Sequence, residues 1–380
     1  MPKKRRRPTP AAKTQPLRKA PADLRMPRYD NVRGLVMYIV ILSNMFLGTL
    51  MAHSEEPGKD YALLYILLCF GESFSMQLFV FCAGYFGRRY LEQPERMVHR
   101  LFDCTAMFLF ARILAFVAQA IAYGSLFRFP YFLSMDFYML AMGLWLLAVY
   151  PFRKLPPWVL IPAAFVLGCL LIILPGTWVQ TNLIFKKFLF LLPFFAVGLF
   201  WKDEYLDILS PYNQKVVGST GAIAVLLFLS RLPQTYRAEF VYSEESSAFL
   251  TSDFVLWQRP LLRLGVYAVS VLSCLCVLLL LPRGRVPLLT AAGGRTLQIY
   301  VFHIFFVLLY NVRSNPLKTA LLNIPLGWAV VCALGITFVV WAVLSLKPVG
   351  IPLLYTKKAS DWAANACIAL WKRLPHRKTA

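Results

Sequence analysis

Few polar side chains interrupt the apolar segments of this 380-residue sequence, and they are the residues that could carry out chemistry. Arg33 stands directly before a long apolar run, and Asn44 follows eleven residues later inside that run. At about 100° per residue, eleven residues return a helix to the same face, about 16 Å further along its axis. One helical stripe therefore joins a surface arginine, with Asp30 close to it, to an amide deep in the apolar segment.

Four further polar residues lie deep within other apolar runs: Glu72, Ser75, Arg112 and His303. Ionisable groups are costly in hydrocarbon, so each is a functional candidate. Ser75 lies one turn from Glu72, on the same helical face. Two interpretations of Glu72 and Arg112 stay open: a buried ion pair that fixes two helices, or part of a polar pocket that holds reactants. His303 is equally open, as a hydrogen-bonded packing residue or as a site residue.

The elements that must position these residues follow from the composition. Hydrophobic residues make up 59% of the chain and charged residues 15%, and the mean hydropathy is +0.60, which excludes a soluble domain of this length. The sequence predicts an all-α, polytopic membrane bundle of about ten transmembrane helices. The predicted spans are 34–52, 61–86, 103–123, 131–151, 158–175, 188–201, 215–230, 262–281, 295–311 and 326–345.

The net charge of +22 could suggest nucleic acid as a partner, and MPKKRRRP resembles a nuclear signal. The basic residues, however, cluster in both tails and in alternate short loops, a pattern typical of membrane topology. We therefore expect a multi-pass protein of the plasma (inner) membrane, with both termini in the cytoplasm and no nucleic-acid partner. The 231–261 connection, on the opposite side, is either a linker or a lid over an external opening.

Three regions follow from these patterns. Residues 1–27 combine many cations with prolines and alanines, so we expect a disordered cytoplasmic tail. Residues 28–346 form the membrane domain. Residues 347–380 form a second basic cytoplasmic tail, in which DWAANACIALWKRL is predicted to be an amphipathic helix lying on the inner leaflet.

The eight cysteines lie within or beside apolar segments, so we interpret them as reduced packing residues. Cys274 and Cys276 are two residues apart, which places them about 200° apart around a helix. They are poorly placed to share a metal, and we predict no metal site.

Four stretches together resemble a known family. RYDNVRGL is similar to the opening of the acyltransferase-3 family of integral membrane acyltransferases, especially its fucose O-acetylase-like branch. The stretches FSMQLFVFCAGYF, KFLFLLPFFAVGLFW and GGRTLQIYVFHIFF resemble later segments of the same family, in the same order. The resemblance covers roughly residues 28–346, the whole predicted membrane domain.

This resemblance implies transfer of an acyl group, commonly acetyl from acetyl-CoA, to a hydroxyl of a carbohydrate or lipid-linked glycan. It implies that Arg33 contacts the coenzyme phosphates and that Asp30 orients Arg33. The family's R-x10-H motif ends on a histidine that acts as general base, but Asn44 stands at that position here. An amide does not accept and release a proton near neutral pH.

Another residue must therefore serve as the base if the protein is active. Glu72 is the nearest candidate in depth and His303 the next, with Arg112 holding the charge or facing the developing oxyanion and Ser75 lining the substrate pocket. The leading hypothesis is an O-acyltransferase that uses acetyl-CoA or another acyl-CoA and modifies a surface or envelope glycan. The alternatives are a catalytically inactive relative that binds or translocates a glycan or lipid, and an unrelated transporter.

Overall fold

A computed structural model describes residues 27–54, 62–123, 137–170, 183–233, 257–312 and 315–373. Nearly all of these residues are helical, and no strand occurs among them. The predicted all-α class is therefore confirmed. The expected N-terminal tail and most of the 231–261 connection lie outside the described residues, so both expectations stay predictions.

Fourteen α-helices occur in the described part of the chain, and six of them begin at a proline, whose fixed φ and missing N–H suit the first helical position. Ser210 caps one such helix, since its hydroxyl accepts a hydrogen bond from the Asn213 N–H at 3.2 Å. The helices are α1 (Pro27–Ser54), α2 (Ala62–Leu91), α3 (Pro94–Tyr123), α4 (Phe137–Val149), α5 (Pro157–Leu170), α6 (Leu183–Phe200), α7 (Glu204–Asp207), α8 (Pro211–Arg231), α9 (Gln258–Leu280), α10 (Pro287–Gly293), α11 (Thr296–Tyr310), α12 (Pro316–Asn323), α13 (Leu326–Leu344) and α14 (Ile351–Arg373).

Each of the ten predicted spans overlaps one of these helices. Among the described residues, five helices are long and apolar enough to cross a membrane, namely α1, α2, α3, α9 and α13. The pair α10 and α11 qualifies as a sixth span, bent by 83° at its break. The protein is thus an integral membrane helical bundle, and the count of ten spans stays a prediction.

Among the described helices, α2 and α6 pack against each other over the largest contact. A Cβ added to Gly84 would overlap the carbonyl oxygen of Phe195, and one added to Gly198 would overlap that of Phe81. Small residues let two backbones approach when lipid supplies no hydrophobic driving force between helices. This contact fixes α2 in the bundle, and α2 also packs against α1 and α9.

Helix α1 is surrounded by α2, α10, α11 and α13. The indole Nε1 of Trp341 on α13 donates to the carbonyl oxygen of Gly34 at 3.0 Å. At the other end of α1, the hydroxyls of Thr49 and Tyr310 lie 2.8 Å apart. These contacts hold α1, which carries the Arg33–Asn44 stripe, along much of its length.

The C-terminal helix α14 packs against α3. Leu353, Ser360 and Ala364 are buried on one face, and Ser360 donates a hydrogen bond to Asp103. The opposite face exposes a set of apolar and aromatic side chains that includes Trp362. A helix therefore covers most of the predicted stretch and begins earlier than expected, and its amphipathic, interfacial character stays a prediction.

Candidate active site

Arg33 is held at the start of α1 by two contacts. Its Nη2 donates to the carboxylate of Asp30, which is only 4% exposed, and the two residues form an ion pair one helical turn apart. Its guanidinium also lies over the ring of Phe86 on α2, with the guanidinium carbon 4.7 Å from the ring centroid. The Arg33 side chain is 25% exposed, so the pair is anchored but reachable. We call Asp30, Arg33 and Phe86 the arginine end.

Arg33 has spare hydrogen-bonding capacity. Among the described residues, its buried Nε–H has no acceptor. A guanidinium presents five donors in a planar fork, and a phosphate or carboxylate can accept from two of them at once. The arginine end is therefore suited to an anionic ligand, and contact with the coenzyme phosphates, which the family resemblance implies, stays a prediction.

Asn31 fixes the backbone next to Asp30. Its side-chain nitrogen donates to the carbonyl oxygens of Pro282 at 3.0 Å and Gly284 at 2.9 Å, and its side-chain oxygen accepts from the Thr290 hydroxyl. Both donors and the oxygen of this amide thus bond to the segment between α9 and α10 and to α10 itself. The sequence analysis missed Asn31, because these partners lie more than 250 residues away along the chain.

Helix α10 also presses directly against the arginine end. A Cβ added to Gly293 would overlap the carbonyl oxygen of Asp30. Only a residue without a side chain allows α10 to approach α1 this closely, and Gly293 lies at the bend between α10 and α11. The end of α10 therefore packs against the backbone of the arginine end, and α11, which follows the bend, carries His303.

A second polar cluster, also missed from the sequence, adjoins the arginine end. The hydroxyls of Tyr29 and Tyr85 both donate to the carboxylate of Asp203, which follows α6, and the two tyrosine rings lie with centroids 4.3 Å apart. Arg28 donates to the side-chain oxygen of Gln214 on α8 at 2.7 Å. These contacts tie the start of α1 to α2, α6 and α8.

The far end of the stripe contains a histidine from a different helix. His303 on α11 is 0% exposed, and its Nε2 lies 3.2 Å from the side-chain nitrogen of Asn44. Its Nδ1 is hydrogen-bonded to the carbonyl oxygen of Tyr300. Because a carbonyl only accepts, Nδ1 carries the proton in this arrangement, and Nε2 accepts from Asn44. We call Asn44 and His303 the histidine pair.

The contacts between α1 and α11 show that these helices run in the same direction. Gly293, just before α11, lies beside Asp30, then His303 lies beside Asn44, and Tyr310 lies beside Thr49. The backbone at Asp30 and the side chain of Asn44 therefore both contact the bent pair α10 and α11. This relation agrees with the predicted topology, in which the two helices start on the same side of the membrane.

The other predicted site residues lie on α2 and α3. Ser75 is buried, while Glu72 and Arg112 are half-buried. Helix α3 packs against α11, with the rings of Phe110 and Phe302 at a centroid distance of 6.0 Å, so Arg112 belongs to a helix that flanks His303. The described contacts test neither the Glu72–Arg112 pairing nor a catalytic role for either residue, and both stay predictions. Among the described residues, no group of three or more histidine, cysteine, aspartate or glutamate side chains could hold a metal ion.

In this helical membrane bundle, a partly exposed arginine lies at one end of the stripe on α1, and a buried histidine contacts the other end. The chain belongs to the acyltransferase-3 family, because the acyltransferase domain of that family matches residues 26–346. The match covers α1 to α13 and every predicted site residue, and it makes this protein an integral membrane acyltransferase. No curated protein and no solved structure matches the chain.

Proposed function

We propose that this acyltransferase moves acetyl or another short acyl group from acyl-CoA to a hydroxyl of a surface or envelope glycan, as an O-acyltransferase of the fucose O-acetylase-like branch. The observation that carries this proposal is the 3.2 Å contact between Asn44 and His303. Asn44 stands where the R-x10-H motif places its base, and a histidine from α11 occupies the adjacent space. A base is thus supplied at the end of the stripe, although by a different helix.

The donor would bind along the stripe. Arg33 would take the coenzyme phosphates with its remaining donors, while Asp30 fixes the guanidinium. Met37 and Ile41 follow Arg33 at intervals of four residues and are fully buried on the same face. The acyl-bearing arm would extend beside them, and the flexible side chain of Met37 is suited to give way.

Chemistry would take place at the histidine pair. The acceptor hydroxyl first replaces the Asn44 N–H as the group hydrogen-bonded to His303 Nε2. It then attacks the thioester carbonyl carbon as Nε2 takes its proton, and the coenzyme thiolate leaves and is protonated by the imidazolium. Asn44 suits both states of the ring. Its N–H donates to neutral Nε2, and after a turn of the amide its oxygen accepts from protonated Nε2. The Tyr300 carbonyl keeps Nδ1 protonated throughout.

Glu72 is the second candidate base, with Arg112 facing the developing oxyanion and Ser75 contacting the acceptor. Its support is its predicted depth on α2, whereas His303 has an observed contact with the motif position. The competing function is an inactive relative that binds or translocates a glycan or lipid on the same scaffold.

Radiolabelled acetyl-CoA tests the proposal. Purified protein in lipid nanodiscs is incubated with labelled donor and an envelope glycan extract. Label on glycan hydroxyls, removable by mild base and absent with His303→Gln, is the expected result. Binding of acetyl-CoA without transfer to any glycan fraction would favour the inactive relative.

We also propose that the protein lies in the plasma membrane with both termini cytoplasmic, which the loop charges support. Cysteines introduced at Glu92 and Glu245 test this orientation in intact cells. A reagent that does not cross membranes should label the cysteine at position 245 and leave the one at position 92 unmodified. The opposite pattern would reverse the orientation.

A further inference from the structure

A cavity of about 760 Å³ opens where α2, α4, α5 and α6 end or begin. Three cations line it, Arg88, Arg153 and Lys202, each from a different chain segment, against one carboxylate, Glu92. The lining therefore has an excess of positive charge. Three separate segments, the last turn of α2 and the stretches after α4 and α6, converge to produce it, so this is not a run of like charges on one solvated face.

One of these cations is held in place. The guanidinium of Arg153 lies 4.0 Å from the ring centroid of Tyr150, and its Nη1 donates to the Tyr150 carbonyl oxygen at 2.9 Å. Cation–π stacking and the backbone bond restrict the fork to one region of the cavity. Arginine forks bind the oxygens of phosphate groups in a two-pronged geometry.

The rest of the lining is aromatic and apolar. Trp201 and Tyr205 contact each other edge to face, with centroids 5.5 Å apart, and Ile161 and Val197 add aliphatic surface. A small inorganic anion would leave this surface unused. A ligand that fits carries its negative charge on a group attached to a flat or aliphatic part.

The depth of the cavity agrees with such a ligand. Apolar helices give way to charged loops at this level, and Trp158, next to the lining residue Pro157, is 76% exposed. Tryptophan and tyrosine favour the level of lipid headgroups, and basic pockets there bind anionic headgroups.

This cavity is separate from the arginine end. Phe86 lies under Arg33, and Arg88 follows Phe86 by two residues, which places it about 200° away around α2. Arg33 therefore contacts one face of the end of α2, and the cavity residue Arg88 lies on the opposite face.

We propose that the cavity is a second anion site that binds a phosphate ester attached to an apolar or aromatic group. Two molecules available at this depth have that chemistry: an anionic phospholipid and a phosphorylated nucleoside. The inference does not depend on acyl transfer, because the site is defined by binding.

The test compares two double variants of the full chain in detergent micelles. Arg88→Gln with Arg153→Gln removes two cavity cations. Arg89→Gln with Lys154→Gln removes the two neighbouring exposed cations, which do not line the cavity, and so changes the net charge equally. Affinity for phosphatidylglycerol is measured by native mass spectrometry, and affinity for adenosine 3′,5′-bisphosphate by calorimetry.

The cavity variant should lose about tenfold or more in affinity for at least one ligand, while the control stays within about twofold, since two charge-assisted bonds are removed. A loss for phosphatidylglycerol identifies a lipid headgroup site, and a loss for the bisphosphate identifies a nucleotide site. Equal affinities of both variants for both ligands, with unchanged thermal unfolding, would overturn the proposal. If the cavity variant does not fold, Lys202→Gln alone takes its place against Lys154→Gln.

Discussion

The arginine end and the histidine pair lie on the same stripe of α1 but are built in opposite ways. Around the arginine end, side chains from α1, α2 and α10 and backbone carbonyls after α9 form a dense polar network. In the described part of the chain, the histidine pair is joined by one side-chain hydrogen bond within an apolar core, and the Tyr300 carbonyl holds Nδ1. The first arrangement fixes a charge, whereas the second holds an imidazole by one exchangeable side-chain hydrogen bond.

The difference follows from depth. Near the surface, water and loop carbonyls are available, so the polar groups of a large network find hydrogen-bond partners at little cost in free energy. In hydrocarbon every polar group without a partner is costly, so a site there contains few of them. A binding function suits the first environment and a reactive group suits the second.

The largest expected effect comes from removing the proton acceptor. His303→Gln should lower acyl transfer by about a hundredfold or more, the typical loss for a general base. Binding of acetyl-CoA should change little, because the arginine end is untouched. Initial rates with labelled acetyl-CoA, together with calorimetric affinity, measure both quantities.

Glu72→Gln is the matched variant for that experiment. If Glu72 is the base, Glu72→Gln should lower the rate of acyl transfer by about a hundredfold, while His303→Gln should retain most of the activity. That outcome would remove the catalytic role from the histidine pair and leave it a packing contact.

The next largest effect concerns donor affinity. Arg33→Ala should weaken coenzyme A binding by about ten- to a hundredfold, since a charge-assisted hydrogen bond contributes about 1.5–3 kcal/mol. Arg33→Lys should restore only part of it, because an ammonium lacks the planar fork. Calorimetric titration of folded protein gives the affinities. Unchanged affinity for coenzyme A in Arg33→Ala would show that the donor phosphates bind at another site. The cavity beside Arg88 would be the first alternative.

The third effect concerns the contact between α10 and the backbone of Asp30, which supports the arginine end. Gly293→Ala forces α10 away from Asp30 and should lower the free energy of unfolding by about 1–3 kcal/mol, the usual range for overpacking. Gly335→Ala on α13 is the control, because a Cβ there meets open space, and it should be neutral or slightly stabilising. Thermal unfolding in detergent measures both variants. Equal unfolding temperatures would show that α10 does not support the arginine end.

The smallest effect is expected at Asn44. Asn44→Ala removes one neutral hydrogen bond to His303, so transfer should fall by only about two- to tenfold. Asn44→His places a second imidazole at the motif position and should retain transfer. If the wild-type protein transfers no acyl group and Asn44→His gains activity, the natural protein is a binding relative. A loss in Asn44→Ala as large as that in His303→Gln would give Asn44 more than a positioning role.

The sequence by itself determined the class, the family and the stripe. Long apolar runs dictate membrane helices, because only internally hydrogen-bonded backbone is stable in lipid, and each predicted span overlaps a helix. The spacing of Arg33 and Asn44 places them on one helical face through backbone geometry alone. The ion pair of Arg33 and Asp30 is also local, since one turn separates them.

Only the tertiary structure decided which side chains of other helices contact the Arg33–Asn44 stripe. The sequence ranked Glu72 before His303 by depth, but depth does not determine which helix turns which face toward α1. Helix packing sets that, and it brings His303 to Asn44 across 259 residues of chain. The bend of 83° between α10 and α11, with Gly293 against Asp30, likewise depends on contacts between distant segments. Local periodicity predicts which residues share one face of a helix. Which face of another helix they contact depends on the packing of the whole bundle.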